Sequence, residues 1–286
     1  MKIIASCAEM LEHSRSLQKE GLTVGFVPTM GALHRGHLSL LSVARQHCDY
    51  IVMSIFVNPA QFGPSEDFEK YPRQLERDCE LAKSAGCDCV FTPQAKDIYP
   101  DDYYTYVNVN CITDTLCGAS REGHFRGVAT VVLKLFNIVT PNIAVFGAKD
   151  AQQVVVIKRM AADLNVPVNI IAAPTVREED GLAMSSRNAY LSAAERIEAS
   201  LIYKGLAEAK RLYYGEGERA SGVIKNRIAS IISEDCLIQP EYIEIVDTKL
   251  LKPVSEITVP VLLAVACRTV HTNTRLIDNI VLGGDL

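Results

Sequence analysis

Residues 23–37 read TVGFVPTMGALHRGH, an apolar run that leads into a turn with two glycines. The run TVGFVP has the continuous apolar character of a buried strand, and a proline ends it. The residues that follow, HLSLLSVARQHC, repeat apolar side chains such as Leu38, Leu41 and Ala44 at helical spacing. This stretch therefore predicts a strand, a glycine-containing turn and a helix in immediate succession.

The same alternation of strand and helix continues over about the first 175 residues. The further segments are strand-like at 50–59, 88–93, 143–147 and 168–176, and helix-like at 73–86, 127–141 and 151–165. Continuous apolar strands that alternate with helices predict a parallel sheet covered on both faces. We therefore expect a Rossmann-like, doubly wound α/β domain over residues 1–176, with ligands bound at the carboxyl ends of its strands.

The pattern changes after the polar stretch at 177–190, which we interpret as a hinge. Residues 193–235 favour helix, with a break at Gly215-Glu216-Gly217. Three strand-like runs follow, at 241–247, 259–270 and 274–282. Residues 177–286 are thus expected to form a smaller α+β domain that serves as a lid.

Composition narrows the range of partners. The formal charge of the 286 residues is −5 and no long basic run is present, so nucleic-acid binding is not expected. No apolar run reaches the ~18 residues of a membrane span, and the N-terminus lacks the pattern of a secretory signal. The nine scattered cysteines are typical of free thiols in a reducing compartment. We expect a cytoplasmic protein whose nucleotide ligand, if any, is small.

The turn after the first strand carries the strongest chemical signal. Gly31 and Gly36 permit close approach of a ligand to the backbone, and a helix N-terminus offers unpaired N–H groups to phosphate. His34 and His37 are three residues apart, so they share one face of a helical turn. Two imidazoles there are suited to donate hydrogen bonds to phosphate oxygens as charge develops in a transition state.

Two further strand ends carry polar residues. Asn58 and Gln61 follow the second strand and offer amide groups to a polar or carboxylate-bearing substrate, although the Asn-Pro sequence equally favours a plain turn. Gly147 ends a later strand, where Lys149 supplies a positive charge for phosphates and Asp150 is suited to cap the next helix. Position at a carboxyl strand end favours a ligand-binding role for Lys149 over that of a solvated surface lysine.

Three other segments remain open on sequence alone. The hinge contains Met184-Ser185-Ser186-Arg187-Asn188, which suits polyphosphate oxygens but also fits a flexible linker. Asp78 has the chemistry of a Mg²⁺ ligand, and a solvated helix acid is at least as good an interpretation. The basic turn at 120–127 suits either anion contact or oligomer packing.

A larger set of motifs, in order and spacing, resembles one family. The motifs are PTMGALHRGH (28–37), FVNPAQF (56–62), YPR (71–73), GHFRGV (123–128), GAKDAQQ (147–153) and GLAMSSRN (181–188). The first and last alone resemble the HxGH nucleotidyl-transfer superfamily, which includes class I aminoacyl-tRNA synthetases. The full set, dense over 23–191, resembles the pantothenate synthetase family, with departures at Ala148 and Glu122, where the family often has Glu and Pro.

The resemblance implies an activity and a set of site residues. The activity is ATP- and Mg²⁺-dependent condensation of pantoate with β-alanine through a pantoyl adenylate, usually by a homodimer. The residues implied to be catalytic are His37, as the proton donor, His34 and Lys149. Those implied to bind ATP are Met30, His34, His37, Gly147, Lys149, Asp150, Val176, Met184, Ser185, Ser186 and Arg187. Pantoate or β-alanine would contact Met30, Asn58, Gln61 and Gln153, and Asp78 matches the position linked to Mg²⁺.

Two alternatives of different kinds remain open on the sequence. A nucleotidyltransferase that moves AMP to a small phosphorylated substrate would need extra cations for that phosphate, and none cluster near Asn58 and Gln61. A non-catalytic nucleotide-binding module would not need both histidines, Lys149 and the Ser-Ser-Arg sequence together.

Overall fold

The computed structural model describes residues 1–64, 66–234 and 236–286 of the chain. These residues divide into two compact units, which are described one at a time. The first unit comprises Met1–Asn110, Ser120–Gly147 and Val156–Ala173, and the second comprises Cys111–Ala119, Ala148–Val155 and Pro174–Leu286. The boundary between two domains that the sequence predicts, after residue 176, stays a prediction.

Among the described residues, six parallel strands form the sheet of the first unit. They are β1 (Lys2–Ile4), β2 (Val24–Thr29), β3 (Tyr50–Ile55), β4 (Cys89–Phe91), β5 (Ile143–Gly147) and β6 (Asn169–Ala173), in the order β1-β4-β3-β2-β5-β6. The helices between these strands in the sequence are α1 (Cys7–Lys19), α2 (Arg35–Arg45), α3 (Leu75–Ser84), α4 (Ala95–Ile98), α5 (Cys117–Ser120), α6 (His124–Val139) and α7 (Ala151–Asp163). The predicted doubly wound α/β fold is confirmed.

The order of the strands directs attention to one edge of this sheet. In the sheet, β3 and then β4 lie on one side of β2, whereas β5 and β6 lie on the other side of β2. The direction of winding therefore reverses between β2 and β5, and ligands of such sheets bind beside the carboxyl ends of the strands at this reversal. Those ends are Thr29 and Gly147.

The central strands are mostly apolar because helices cover both faces of the sheet. Val24, Phe26 and Val27 in β2 are fully buried, as expected for a parallel sheet. Leu41 and Ala44 of α2 are also fully buried and pack against the core on one side of this sheet. The apolar periodicity that predicts β2 and α2 thus follows from the surfaces that these elements bury.

The second unit contains an antiparallel sheet and its own core. Its strands are β7 (Ile238–Asp247), β8 (Val261–Thr269) and β9 (Arg275–Leu282), preceded by α8 (Ala193–Glu198), α9 (Ser200–Lys210) and α10 (Ser221–Ile232). The core side chains include Leu206, Ile228 and Leu263, all fully buried. The predicted α+β character of this region is confirmed.

The cysteine thiols and the apolarity of the helices can be compared with the sequence-based expectations. All nine cysteines are free thiols, and burial raises the pKa of Cys87 to about 11 and that of Cys267 to about 12. Within the described ranges, no helix combines the length and apolarity that crossing a bilayer would require.

Candidate active site

The turn after β2 is built around a buried carboxylate. Gly31 has φ +84° and Ala32 has φ 51°, so two consecutive residues adopt the left-handed conformation. A Cβ atom on Gly31 would lie 2.9 Å from Asp78 Oδ2 and 3.1 Å from Ile55 Cγ2, which only glycine avoids. Asp78 is 1% exposed, and its two oxygens accept hydrogen bonds from the backbone N–H groups of Ala32 (2.9 Å) and Leu33 (2.8 Å). The carboxylate therefore fixes the backbone just before His34.

The two histidines stand at the N-terminus of α2 with their rings together. His34 is the N-cap, and its Nδ1 accepts a hydrogen bond from the N–H of Gly36 at 3.1 Å. The Nδ1 atom of His37 accepts from the N–H of His34 at 3.4 Å, and the ring centroids are 4.0 Å apart. Because each Nδ1 accepts, each neutral ring carries its proton on Nε2. The pair thus offers two Nε2–H donors beside a helix N-terminus, which itself favours anions.

The turn after β3 holds a chain of side-chain amides. Asn58 donates from Nδ2 to Gln61 Oε1 at 3.0 Å, and Gln61 donates from Nε2 to Met30 Sδ at 3.0 Å. The Tyr99 hydroxyl donates to Asn58 Oδ1 at 2.9 Å, and burial raises the Tyr99 pKa above its usual range, which keeps that proton in place. These bonds orient the Gln61 amide with Nε2 on the Met30 side.

Asn58 is buried inside the protein, whereas its predicted role is contact with a substrate. The residue is 1% exposed, and its Nδ2 also donates to the carbonyl of Gly127 at 3.2 Å. Its side chain is therefore used inside the protein to orient Gln61. Direct contact of Asn58 with a substrate stays a prediction.

Beyond β5, the second unit places Lys149 in a short 3₁₀ turn, Ala148–Asp150. Asn279 Nδ2 donates to the carbonyls of Ala148 (2.9 Å) and Lys149 (2.8 Å). Lys149 Nζ lies 4.0 Å from Asp150 Oδ1, at the limit of an ion pair, and Gln153 is half-buried in the first turn of α7. The backbone of Lys149 is thus fixed while its ammonium group is only weakly paired with Asp150.

The hinge sequence is also held within the second unit. The N–H of Met184 donates to the carbonyl of Val176 at 3.0 Å, so these two predicted site residues are neighbours. Ser185 caps the 3₁₀ turn Ser186–Tyr190, where its Oγ accepts from the N–H of Arg187 at 3.3 Å. The loop that carries the Ser-Ser-Arg sequence is consequently an ordered turn.

An ion pair anchors the start of this hinge. Arg177 forms a two-pronged pair with Asp278, with N···O distances of 2.5 and 3.0 Å, and its guanidinium lies 4.3 Å from the ring centroid of Tyr203. Asp278 is 3% exposed, so the pair is sheltered from water. Arg177 thereby fixes the backbone next to Val176.

Several of these supporting residues are missed by sequence reasoning. Tyr99, Asn279 and the Arg177–Asp278 pair all act across large separations in sequence. The available signal is the polar pair Asp278-Asn279 between apolar residues of β9, because polar residues in a buried strand need hydrogen-bond partners.

Asp78, the predicted Mg²⁺ ligand, is buried and already hydrogen-bonded to the backbone. Among the residues that the structure describes, no three His, Cys, Asp or Glu side chains cluster as a metal site. Both Asp78 oxygens already accept backbone hydrogen bonds and the residue is buried, whereas Mg²⁺ in phosphate sites keeps several waters. Asp78 as a direct Mg²⁺ ligand stays a prediction that this geometry does not favour.

Comparisons with known proteins agree with one another. The family model described as pantoate-beta-alanine ligase matches residues 2–281. Two curated pantothenate synthetases, from Heliobacterium modesticaldum and Acetivibrio thermocellus, are 52% and 53% identical over 282 residues, and each alignment covers 99% of both chains.

Solved structures give the same result. A pantothenate synthetase from Thermus thermophilus is 43% identical, with a TM-score of 0.91 over 98% of this chain and 99% of its own. A pantoate-beta-alanine ligase from Francisella tularensis, complexed with beta-gamma ATP and beta-alanine, is 35% identical, with a TM-score of 0.79 over 98% and 97% of the two chains. With its paired histidines at the reversal point of a doubly wound sheet, this chain belongs to the pantoate–β-alanine ligase family.

Proposed function

We propose that this chain condenses pantoate with β-alanine at the expense of ATP, giving pantothenate, AMP and pyrophosphate. The observation that carries the proposal is the family match over residues 2–281, which includes the complete turn with both histidines. The Francisella relative, complexed with beta-gamma ATP and beta-alanine, supports ATP and β-alanine as substrates of this chain.

The reaction proceeds in two displacements. A carboxylate oxygen of pantoate attacks the α-phosphorus of ATP, the bond from that phosphorus to the bridging oxygen breaks, and pyrophosphate leaves with the electron pair. The amine nitrogen of β-alanine then attacks the acyl carbon of pantoyl adenylate. The bond from that carbon to the phosphate oxygen breaks, AMP leaves, and the nitrogen loses a proton. Neither step needs a side-chain nucleophile, only positioning and charge stabilisation.

His34 and His37 stabilise the first transition state. Their Nε2–H groups, oriented by the backbone bonds to Nδ1, donate to phosphate oxygens as negative charge builds up during pyrophosphate departure. The N-terminus of α2 adds its own partial positive charge. A neutral imidazole that carries its proton on Nε2 can donate a hydrogen bond, so neither ring needs a second proton to contact a phosphate oxygen.

The remaining predicted residues take up the substrates. Met30, Gln61 and Gln153 bind pantoate, and the Nε2–H of Gln61 donates to one of its oxygens. The ATP phosphates and nucleoside are bound by Gly147, Lys149, Asp150, Val176, Met184, Ser185, Ser186 and Arg187. Mg²⁺ bound together with ATP would neutralise part of the phosphate charge.

A homodimer and a cytoplasmic location are part of the proposal through the family resemblance. Sedimentation equilibrium of the purified chain is expected to give twice the mass of one chain. A mass of one chain at micromolar concentration would contradict the dimer.

The function is tested by following all products of one reaction. With ATP, Mg²⁺, pantoate and β-alanine, AMP, pyrophosphate and pantothenate should form in equal amounts, and omission of β-alanine should stop pantothenate formation. Formation of ADP in place of AMP would contradict adenylation. AMP formation only with another acid would reject pantoate and keep the chemistry.

A further inference from the structure

The basic turn at 120–127, with the start of α6, has one face on the turn that carries Gln61. Arg121, His124 and Gly127 are spaced by three and lie on that face. A Cβ atom on Gly127 would lie 2.1 Å from the carbonyl oxygen of Ala60, so the absence of a side chain there allows the two backbones to touch. This face of α6 therefore sits directly on the Gln61 backbone.

The hydrogen bonds of His124 have a defined direction. Arg121 Nη1 lies 3.0 Å from His124 Nε2, and a guanidinium only donates, so Nε2 accepts. His124 Nδ1 lies 2.8 Å from the carbonyl oxygen of Gln61, which only accepts, so Nδ1 carries the proton. These two contacts require a neutral His124 protonated on Nδ1, the opposite tautomer from that of His34 and His37.

Arg121 is itself held by a carboxylate. Its Nε and Nη2 donate to the two oxygens of Glu66, each at 2.7 Å, and Nη2 also lies 3.5 Å from the Gln61 carbonyl. The side chains of Arg121 and Glu66 are only 17% and 23% exposed. The pairing with Arg121 lowers the pKa of Glu66 in spite of the opposing effect of burial, so the carboxylate stays charged. The two-pronged geometry leaves Arg121 little freedom to turn away from His124.

We propose that Arg121 and His124, with Glu66 as their anchor, are positioning residues that fix Gln61 for binding the acid substrate. The proposal rests on the role of Gln61 under the proposed function. Gln61 is then held at two points: His124 fixes its carbonyl, and Asn58 fixes its side-chain Oε1. The result is a Gln61 Nε2–H donor presented in one orientation to an oxygen of pantoate.

The tautomer gives a spectroscopic test that does not depend on activity. Long-range ¹H–¹⁵N spectra of the full chain should show one histidine with a protonated Nδ1 and an unprotonated Nε2, and that signal should be lost in His124→Asn. A His124 protonated on Nε2, or on both nitrogens, at pH 7.5 would overturn the network.

Steady-state kinetics test the consequence for substrate binding. In His124→Ala and Arg121→Ala we expect the KM for pantoate to rise about tenfold, because a poorly positioned Gln61 loses about one hydrogen bond to pantoate. The KM for ATP should stay within about twofold of wild type. His124→Asn, which restores a donor near the Nδ1 position, should recover most of the pantoate affinity. His13→Ala removes a histidine–Tyr50 hydrogen bond elsewhere in the first unit and serves as the matched control.

The outcomes separate this proposal from the proposed role of Gln61. If Gln61→Ala leaves the KM for pantoate unchanged, that role is wrong and the kinetic part of this proposal fails with it. If Gln61→Ala raises the KM and His124→Ala does not, only the positioning network is wrong. An equal fall of kcat in His124→Ala, His124→Asn and His13→Ala, with unchanged KM values, would show a general loss of folded enzyme and overturn the proposal as well.

Discussion

Backbone N–H groups fix the protons of His34 and His37 on Nε2. Each ring accepts a main-chain N–H at Nδ1, from Gly36 and His34 respectively. Since the rings are 4.0 Å apart, charging both would set two cations against each other. The geometry favours two neutral rings, and their contribution to catalysis comes from the fixed orientation of their Nε2–H donors.

Removing His37 should therefore impair the first displacement and spare the fold. We expect His37→Ala to release pyrophosphate ~10²–10³-fold more slowly, the usual cost of losing one preorganised donor. Its melting temperature should match that of wild type because His37 is only partly buried. The measurement is single-turnover pyrophosphate release, with exposed His47→Ala as the control. A wild-type rate in His37→Ala would remove His37 from the mechanism.

Asp78 is expected to hold the backbone of the turn before His34, and not to bind Mg²⁺ directly. Asp78→Asn keeps the shape but replaces one acceptor oxygen with a donor that faces a backbone N–H of Ala32 or Leu33. We predict a fall in kcat of at least about tenfold, as expected when a catalytic group is misplaced, with the Mg²⁺ concentration for half-maximal rate unchanged.

The control for this prediction lies on the same helix. Glu80→Gln changes an exposed acid of α3 and should leave both quantities at wild-type values. A tenfold rise in the Mg²⁺ requirement of Asp78→Asn alone would instead identify Asp78 as a magnesium ligand.

At the scale of elements, α8 in the second unit depends on one buried acid. Glu195 is fully buried, forms a capping box with Ser192, and accepts the backbone N–H groups of His271 and Thr272, each at 2.9 Å. Burial alone would raise the pKa of Glu195, but the hydrogen bonds from Thr272, Ser192 and His271 outweigh it and lower the pKa to about 2.

This depressed pKa predicts a pH dependence of stability. The charged Glu195 stabilises the fold fully above the usual carboxyl pKa, and the contribution is lost as pH falls from about 4.5 toward about 2. Glu195→Gln should lower the free energy of unfolding by about 2 kcal/mol at pH 7, as expected for lost hydrogen bonds to a charged group. Urea denaturation at several pH values should show this difference shrinking below pH 4. A difference that stays constant down to pH 2.5, or one equal to that of exposed Glu234→Gln, would contradict the assignment.

Elements that are long and strongly patterned are predictable from the sequence. β2 and α2 follow from apolar periodicity because each buries a continuous face. β1 and α4 have only three and four residues, too few for a period to emerge, and neither is predicted. The predicted strand at 50–59 ends at Ile55, since Asn58 and Pro59 turn the chain into a 3₁₀ segment.

The candidate site is predictable only in part, for a related reason. The histidine turn is local, so glycine, histidine and helix signals coincide within ten residues. The groups that orient the other predicted residues are distant in sequence: Tyr99 is 41 residues from Asn58, Glu66 is 55 from Arg121, and Asn279 is 130 from Lys149. No pattern in a single sequence links such positions, since only the folded chain places them in contact.

For the whole molecule, the paired histidines, the doubly wound sheet and the family membership all converge on acyl adenylation. The chain provides directed donors for this transfer, and the chemistry itself requires no side-chain nucleophile. The same chemistry requires that one oxygen atom pass from the acid to the nucleotide, because the bond that breaks in the second displacement joins the acyl carbon to that oxygen.

The most direct measurement follows that oxygen atom. Pantoate labelled with ¹⁸O in both carboxylate positions is incubated with the enzyme, ATP, Mg²⁺ and β-alanine, and the products are analysed by mass spectrometry. We predict one ¹⁸O atom in every AMP formed and none in pyrophosphate. Unlabelled AMP, or label appearing in inorganic phosphate or pyrophosphate, would contradict the pantoyl adenylate and the role of the histidine turn in forming it.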